Sequence, residues 1–346
     1  MDTNERRKRV AEIKKTNPDW GRQRISEHLG APPSNIQRDL EWLKKQKEEE
    51  EKTESEFELT DFIPDREVSV EKIVAIRKAE FAQRMVAEEA RKLVNIRVKI
   101  DGPIGICHFG DPHIDDPGCD IAKIESVARI VRETPGLFAS NIGDMNNNWI
   151  GRLSALHAKQ STTAKMAWKL VEWMFGLCDW LYLVGGNHDA WSGDRNILDW
   201  MAAGQAGFYD ERQVRVCLNF PNGHSVRINA RHNWKGYSIY NDIHGQLRAA
   251  KFGWRDHLLV GGHKHISGYG LLKDPMTGLI SHLLQVASFK TYDDYAATIG
   301  ADDKNFSCCP VTVINPKLPE TDADMIHVFY GPEQAAEYLT WARSRK

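Results

Sequence analysis

Short apolar runs alternate with amphipathic segments from residue 96 onwards. The apolar runs predict strands, whereas the segments that repeat apolar residues every three or four positions predict helices. Phe220-Pro221-Asn222-Gly223 is typical of a hairpin turn between two of the strands. This alternation predicts an α/β domain over residues 96–331. The predicted strands are 104–109, 137–142, 180–184, 214–220, 225–230 and 257–260, and the predicted helices are 162–177, 197–203, 242–252 and 332–343, the last within a C-terminal segment of 332–346.

The first 95 residues carry helical patterns. Residues 1–47 predict a small all-α module in which Gly30 ends the second helix and Ser34 is the N-cap of the third. An acidic linker, 48–68, separates this module from a long amphipathic helix at 69–95. The three short helices are 4–15, 20–29 and 35–47. The apolar stripe expected on the inner face of the long helix is Val70, Ile73, Val74, Phe81, Met85 and Leu93.

The module at 1–47 resembles the helix-turn-helix motif of DNA-binding proteins. Ser26 fits the small residue before the turn and Gly30 fits the turn glycine, but Asp39 falls where the motif buries an apolar residue. The resemblance implies that Gln37 and Arg38, on the third helix, contact nucleic acid. The alternative is a three-helix module that binds a protein partner or forms a homo-oligomer.

Charge is segregated along the chain. The whole sequence has 46 Lys and Arg against 48 Asp and Glu, a net charge of -2. Residues 1–47 carry 12 basic against 7 acidic residues, whereas residues 48–67 carry 10 acidic against 2 basic residues. The small net charge therefore averages a basic module and an acidic linker, and it does not argue against a polyanionic partner.

Several function classes are excluded by composition. No apolar run approaches the roughly 18 residues that a membrane span needs, and the charged first ten residues do not resemble a secretory signal. The six cysteines are scattered, as expected of reduced thiols. We therefore expect a cytoplasmic protein without a membrane partner, in the host-cell cytoplasm if the chain is phage-encoded.

Metal-competent side chains follow most of the predicted strands. Because ligands bind outside the carboxyl ends of strands in open α/β sheets, these segments are expected to converge. Asp, His and Asn supply oxygen and nitrogen donors that suit Mn, Fe, Zn, Co or Ni rather than Ca alone. A glycine beside each block would let the loop approach an ion closely. The segments are Gly110-Asp111-Pro112-His113, Gly143-Asp144-Met145-Asn146-Asn147, Gly185-Gly186-Asn187-His188-Asp189, Arg231-His232 and Gly261-Gly262-His263-Lys264-His265.

These five blocks, in this order, resemble the calcineurin-like metallophosphoesterase superfamily. The resemblance covers residues 96–331 and implies two mixed β-sheets packed as a sandwich flanked by helices. It also implies a dinuclear centre, with manganese as the preferred metal, that hydrolyses phosphoesters through a metal-activated hydroxide. One metal would be held by Asp111, His113, Asp144 and His265, and the other by Asp144, Asn187, His232 and His263, with Asp144 bridging.

The resemblance further implies that His188 stabilises the phosphoryl oxygens or protonates the leaving group, with Asp189 as its sequence neighbour. Asn147 and Asn148 stand where protein phosphatases of the superfamily have an Asp and then an Arg, which weakens a protein phosphatase hypothesis. The lone histidine of the fourth block is either His232 or His244. We favour His232 as the ligand, which leaves His244 a substrate-side or capping role.

Side chains beside the blocks are candidate substrate contacts. Asn147 lies within the second block, Trp149 and Arg152 follow it, and Arg195 follows the third together with Trp191. Aromatic and guanidinium groups there could stack a base and clamp a phosphate, and Lys264 could contact one too. Loop packing and solvated arginines are the alternative. Asp115 or Asp116 could orient His113 or be a plain loop acid.

The expected substrate is a phosphodiester in nucleic acid. This expectation follows from the helix-turn-helix-like module and from similarity to the DNA-repair nuclease branch of the superfamily, of phage or bacterial type. One alternative is a phosphomonoesterase, a cyclic-nucleotide phosphodiesterase or a protein phosphatase that uses the N-terminal module for assembly. The other is a nucleic-acid-binding scaffold without activity.

Overall fold

A computed structural model describes residues 2–53, 68–191, 197–202, 207–292, 300 and 303–345. The chain divides into two compact units, 1–77 and 78–346, and the division falls inside the fourth helix. No helix in the part of the chain that the model describes is long and apolar enough to cross a bilayer. All six cysteines are free thiols, five of them buried.

The first unit contains three helices around a small core. They are α1 (Thr3–Thr16), α2 (Arg22–Leu29) and α3 (Pro33–Thr53). Val10, Ile25 and Ile36, one from each helix, are fully buried against one another. Gly30 ends α2 with φ 63°, a left-handed conformation that glycine adopts without strain. The prediction that Ser34 caps α3 is wrong, because Pro33, whose fixed φ suits a first turn, already starts the helix.

Asp39 is buried because it forms ion pairs within this unit. Its carboxylate accepts hydrogen bonds from the Nε atoms of Arg6 at 2.6 Å and Arg7 at 3.4 Å, and its side chain is 1% exposed. Two guanidinium groups of α1 thus bind Asp39 of α3, at the position where a helix-turn-helix usually buries an apolar side chain. The departure from the motif replaces an apolar contact with a charged one.

The fourth helix, α4 (Val70–Arg91), contains the predicted apolar stripe but does not bury it. Val70, Ile73, Val74, Phe81 and Met85 are 44–69% exposed, and no residue of α4 is buried. The expectation of an inner face is therefore wrong for this helix. Periodicity shows that one side of a helix is apolar, but it does not supply a surface to cover that side. Leu93, beyond the helix, is partly exposed.

Twelve strands in the described residues form two six-stranded sheets. Sheet A has the order β1-β6-β7-β8-β10-β9 and sheet B the order β12-β11-β2-β3-β4-β5, and both mix parallel with antiparallel pairs. This is the predicted α/β fold of two mixed sheets flanked by helices. In chain order, the strands β1–β12 are Val94–Arg97, Ile104–Phe109, Leu137–Asn141, Trp180–Val184, Phe208–Asp210, Val214–Asn219, Ser225–Arg231, Leu258–Gly261, Gly268–Lys273, Ile280–Gln285, Val311–Ile314 and Ile326–Phe329.

The main core lies between the two sheets. Alternate residues of each strand point to opposite faces, so β7 buries Val226, Ile228 and Ala230 against residues of sheet B such as Ile106 and Tyr182. A second cluster fills the outer face of sheet B, and a third lies under α9 on sheet A. Beyond α4, the described residues of this unit form the helices α5 (Ile121–Glu133), α6 (Ala164–Phe175), α7 (Asn187–Ala190), α8 (Ile197–Ala202), α9 (His244–Phe252) and α10 (Pro332–Ser344).

The predicted hairpin is confirmed by antiparallel pairing of β6 with β7. Its turn contains Gly223 at φ 86°, and the Gly223 N–H donates to the Phe220 carbonyl at 3.0 Å. This hairpin matters for the site because β7 ends at Arg231, directly before His232. The turn therefore fixes the register that carries His232 to the edge of the sheet.

We expect Asp39→Ala to destabilise the N-terminal unit by roughly 3 kcal/mol, because it leaves two arginines beside a buried, empty position. Hydrogen exchange of the α1–α3 amides in the full chain measures this, and faster exchange is the expected result. Glu41→Ala removes an exposed carboxylate of the same helix and serves as the control. Equal exchange in both variants would show that the ion pairs do not stabilise the unit.

Candidate metal centre

The predicted ligands follow strands that end at one edge of the two sheets. Asp111 lies two residues after β2, Asp144 three residues after β3, and Asn187 three residues after β4. From sheet A, His232 directly follows β7 and His263 lies two residues after β8. These pairs of strands run parallel within each sheet, so their carboxyl ends deliver the side chains to a common place.

One group of donor atoms surrounds His232. Its Nε2 atom lies 3.1 Å from Asp144 Oδ2, 3.0 Å from Asn187 Oδ1 and 3.1 Å from His263 Nδ1. The other ring nitrogen, Nδ1, lies 2.8 Å from the Ile142 carbonyl, which fixes the ring with Nε2 towards the group. Asp144, His232 and His263 are thus close enough to bind one ion.

A second group lies on the other side of Asp144. His113 Nε2 is 3.2 Å from His265 Nε2 and 3.8 Å from Asp144 Oδ2, and His265 Nε2 is 3.5 Å from Asp111 Oδ2. His113, Asp144 and His188 also place donor atoms within binding reach of one ion. Asp144 therefore belongs to both groups, which is the placement that a bridging carboxylate requires.

His188 faces the second group from the short helix α7. Its Nε2 atom is 3.9 Å from Asp144 Oδ2, and its Nδ1 atom lies 2.5 Å from the Asn147 carbonyl. Because a carbonyl only accepts, Nδ1 carries the proton and the Nε2 lone pair points towards the centre. Trp149 and Trp191 pack on the ring, with centroids 5.0 and 4.1 Å away. A backbone carbonyl and two indoles therefore orient His188 without a carboxylate.

Asp189 does not orient its neighbour His188 but connects two loops. Its buried carboxylate accepts hydrogen bonds from the backbone N–H groups of Asp144 at 2.8 Å, Met145 at 3.1 Å and Gly186 at 2.8 Å. The first two amides belong to the loop of the bridging residue, and the third begins the loop of Asn187. Asp189 is therefore a positioning residue for the ligands on both loops.

The ligand loops adopt an uncommon backbone conformation. Positive φ angles occur at Asp111 (20°), His113 (41°), Asp144 (50°), His263 (70°) and His265 (53°). Such angles are disfavoured for residues with a Cβ atom, and they cluster at functional sites. Adjacent glycines provide the space: a Cβ at position 186 would lie 2.1 Å from Asp144 Oδ1, and one at position 262 would lie 2.6 Å from Asp111 Oδ1. The predicted role of glycine in close approach fits these distances.

The electrostatics of the group favour a bound cation. Burial opposes ionisation of Asp144, but the neighbouring histidines, above all His232, outweigh it and lower the pKa of its carboxyl well below the usual range. Burial also disfavours the charged form of His232, yet the carboxylates of Asp144 and Asp111 raise its pKa to about 10. Burial lowers the pKa of His263 to about 4. The carboxylates thus attract positive charge, which a proton on His232 supplies when no metal is bound; that proton has to leave before Nε2 can bind an ion. His263 is neutral and keeps its lone pair.

The donor set fits two divalent cations. Asp111 Oδ1 is fully buried and has no hydrogen-bond partner among the described residues, as expected of an atom that is aimed at an ion. His232 Nε2 and His263 Nδ1, only 3.1 Å apart, form the kind of donor pair that shares a metal. Carboxylate, amide and imidazole donors suit Mn, Fe, Zn, Co or Ni. The two groups that share Asp144 are therefore the candidate metal positions.

The remaining predicted residues lie in different surroundings. Asn147 is buried; its N–H donates to Asp115 at 2.7 Å and its Nδ2 to Asp116 at 2.9 Å. Neither acid contacts the His113 ring. The suggested role of orienting His113 is therefore not seen, and both acids instead accept hydrogen bonds from Asn147. Lys264 is partly buried, and burial lowers the pKa of its ammonium group.

His244 is the first residue of α9, where Ile243 is the N-cap, so the suggested capping role is wrong. It lies near Gly236 rather than among the donor atoms described above. Arg152 falls in a short 3-10 helix at Gly151–Lys159, and its side chain lies outside the described residues, as does all of Arg195. Gln37 and Arg38 lie on α3 of the N-terminal unit, where Gln37 donates to Glu41 at 2.9 Å.

Two supporting residues were missed by the sequence analysis. Ser288 donates its hydroxyl to the Asp111 carbonyl at 2.6 Å, and Gln285 donates its side-chain amide to the Gly262 carbonyl at 2.6 Å. Both lie at or just after the carboxyl end of β10, which neighbours β8 in sheet A. Their position at a strand end is the signal that could have identified them, although neither is a metal ligand type.

No known protein-family model matches this chain, and no curated protein matches it. Among solved structures, it is similar to the NAD nucleotidase NadN of Haemophilus influenzae, with 8% identity over 66% of this chain and 49% of that one and a TM-score of 0.36. It is also similar to Vps29 of Chaetomium thermophilum, with 13% identity over 65% and 92% of the two chains and a TM-score of 0.31. The chain spans about half the length of the nucleotidase.

Proposed function

We propose that the chain is a phosphoesterase of the calcineurin-like type that depends on two metal ions. The observation that supports this most directly is the shared carboxylate of Asp144, which belongs to both groups of donor atoms. The donors of both groups would hold two cations, which would supply charge stabilisation for a displacement at phosphorus. A single-metal structural site would not need a second set of donors.

When bound, the two cations would lower the pKa of water and neutralise phosphate oxygens. The chain's own residues complete the site. His188 directs its Nε2 lone pair inwards and is held there by the Asn147 carbonyl and two indole rings. Asp189 holds the backbone of Asp144 and Gly186 in place, so the bridging position is fixed before any substrate arrives.

The proposed substrate is a phosphodiester in nucleic acid. Trp149 and Trp191 lie beside His188, where a base next to the reacting phosphate could stack. The basic N-terminal module, with Arg38 exposed on α3, is proposed as a second contact with nucleic acid. The metal centre and this second contact therefore belong to separate units of the chain.

We expect Asp144→Asn to reduce hydrolysis of bis(p-nitrophenyl) phosphate in the presence of manganese by at least roughly a hundredfold. Losing an outer partner of a metal ligand already costs about 10- to 100-fold, and Asp144 serves both ions. Metal content after dialysis should fall below two ions per chain. Steady-state rates and elemental analysis measure these effects, and p-nitrophenyl phosphate tests the monoesterase alternative.

Asp179→Asn is the matched control for this variant, because it removes an exposed carboxylate directly before β4. It should retain full activity and metal content. Full activity in Asp144→Asn would contradict the proposed centre. A wild-type enzyme that hydrolyses only the monoester, and cleaves neither DNA nor RNA, would retain the metal chemistry but refute the nucleic-acid substrate.

Asp189→Asn should lower manganese affinity and kcat by about 10- to 100-fold while KM for the small diester stays unchanged. An amide cannot accept from all three backbone N–H groups, because its Nδ2 would oppose one of them. Metal titration followed by kinetics at saturating manganese separates the two effects. An unchanged metal affinity, or a change in KM alone, would contradict a role in positioning the loops.

Arg38→Ala should weaken binding of a duplex oligonucleotide and reduce the slope of log K against log salt by about 1, because one phosphate contact is lost. Lys8→Ala, which removes an exposed charge from α1, should leave the slope nearly unchanged. Anisotropy titrations at several salt concentrations measure both variants. If both variants bind like the wild type, the module serves assembly instead.

A further inference from the structure

A cationic groove lies on the outer face of sheet A, opposite the face that packs on sheet B. We call it the outer groove; it has a volume of about 370 Å³ and is lined by Arg231, Trp234, Lys235, Arg248 and Trp254, among others. No carboxylate is among its lining residues in the described part of the chain. Three cations without an acid in one groove create a site that favours an anion.

Side chains of β7 point alternately to the two faces of sheet A, and this alternation explains where the outer groove lies. Ile228 and Ala230 point into the core between the sheets, so Arg231 points outwards, towards α9. Arg231 directly precedes His232, which means that the outer groove starts at the end of the sheet that bears the metal centre. The two sites are separated by the sheet itself and share no side chain.

Arg231 is held ready for a ligand. It donates through Nη2 to the neutral Gln213, and its guanidinium lies 5.0 Å from the Trp234 ring centroid. Its Nε atom is buried and has no partner among the described residues. A guanidinium fixed in this way retains donors for a phosphate, since neither Gln213 nor the indole neutralises its charge.

Trp254 provides an aromatic surface at the rim. The side chain is 43% exposed, and the guanidinium of Arg215 lies 4.0 Å from its ring centroid. Arg215 is itself fixed by two hydrogen bonds to buried Asp256, at 2.8 and 2.9 Å. The indole is thus supported from one side by a rigid ion pair and remains partly accessible to a planar ring.

A second groove of about 280 Å³ extends the first one, because both are lined by Arg231 and Trp254. It adds Arg91, Lys92 and Arg212, but its lining also includes the carboxylates Glu88, Asp210 and Glu211. Arg91 pairs with Asp210, and Arg212 pairs with Glu88. The charge of this second groove is therefore mixed, and the cations that have no carboxylate among the lining residues are those of the outer groove.

We propose that the outer groove binds the backbone of single-stranded nucleic acid, with Arg231, Lys235 and Arg248 on phosphates and Trp254 stacked on one base. A duplex keeps its bases paired and offers no free ring to Trp254, so the aromatic rim selects a single strand. The site goes beyond the proposed hydrolysis, because binding here uses no metal and no residue of the metal centre.

The test is binding of a fluorescent thymidine 15-mer to the full chain in EDTA, where no hydrolysis takes place. The double variant Lys235→Glu/Arg248→Glu should weaken binding at least about tenfold at 0.1 M salt. It should also reduce the slope of log K against log salt by about 1.4, as expected for two lost phosphate contacts with a single strand. Trp254→Ala should weaken binding about fivefold or more. Lys165→Glu/Lys169→Glu, with the same charge change on exposed residues of α6, should bind like the wild type.

Photo-cross-linking of a 5-bromouracil oligonucleotide locates the contact independently of the N-terminal module, and the expected cross-linked peptide contains Trp254. The absence of cross-links in the outer groove, or equal losses in the α6 control, would overturn the proposal. Equal affinity for a thymidine mononucleotide would make the groove a nucleotide pocket, and equal losses with a duplex would exclude strand selection. Manganese-dependent hydrolysis of bis(p-nitrophenyl) phosphate should be unchanged in the groove variants, so the proposed function is judged separately.

Discussion

The site depends on one constraint: the carboxylates of Asp111 and Asp144 are buried and form no ion pair with Lys or Arg among the described residues. Every ion pair that Asp111 and Asp144 form among the described residues is with a histidine. Burying a carboxylate without compensating charge is costly, and a protonated His232 compensates only in part. Burial raises the pKa of Asp111 to about 6 and that of Asp189 to about 7, so the ionised forms of these carboxyl groups are disfavoured. Two divalent cations beside Asp111 and Asp144 would favour the ionised carboxylates instead.

Holding the donors in this arrangement strains the backbone. Residues forced into sparsely populated conformations cost about 1–3 kcal/mol each, and five of the proposed ligands have positive φ angles. Such strain persists only where the surroundings determine the conformation. Three N–H donors on Asp189, the Ser288 hydroxyl on Asp111 and the Gln285 amide on Gly262 supply those constraints. The sheets on either side provide the stability that offsets the strain.

The sequence predicts that the candidate ligands lie close together, because their proximity depends only on the topology of the sheets. Side chains that follow parallel strands must gather at the carboxyl edge of a sheet, and neither loop conformation nor packing detail is needed to know this. The orientation of His188 could not be predicted in the same way, since it is set by the backbone carbonyl of Asn147. A backbone donor or acceptor has no signature in the residue types. Asp189 is a similar case, because its partners are three amides.

One wrong prediction and one departure from a known motif have a related origin. The stripe on α4 follows the helical period correctly, but a period cannot show whether a partner surface exists, and Phe81 is 67% exposed. Asp39 departs from the helix-turn-helix pattern because its carboxylate pairs with Arg6 and Arg7. Arg6 lies 33 residues earlier in the chain, and pairings over such separations are decided by tertiary packing. Local patterns therefore predict which faces are apolar or charged, whereas contacts between elements decide what those faces do.

The alternating side chains at the end of β7 connect the two proposed sites. His232 and Arg231 are neighbours in sequence, so one side chain reaches the metals while the other enters the outer groove on the opposite face. A nucleic-acid strand carries a phosphate at every nucleotide, and packed sheets lie only about 10 Å apart. A strand held on Arg231 therefore needs only a few phosphates to pass over the edge of the sheet to Asp144. A substrate with one phosphate cannot span both sites, so the outer groove can influence the hydrolysis of a polymer without affecting that of a small diester.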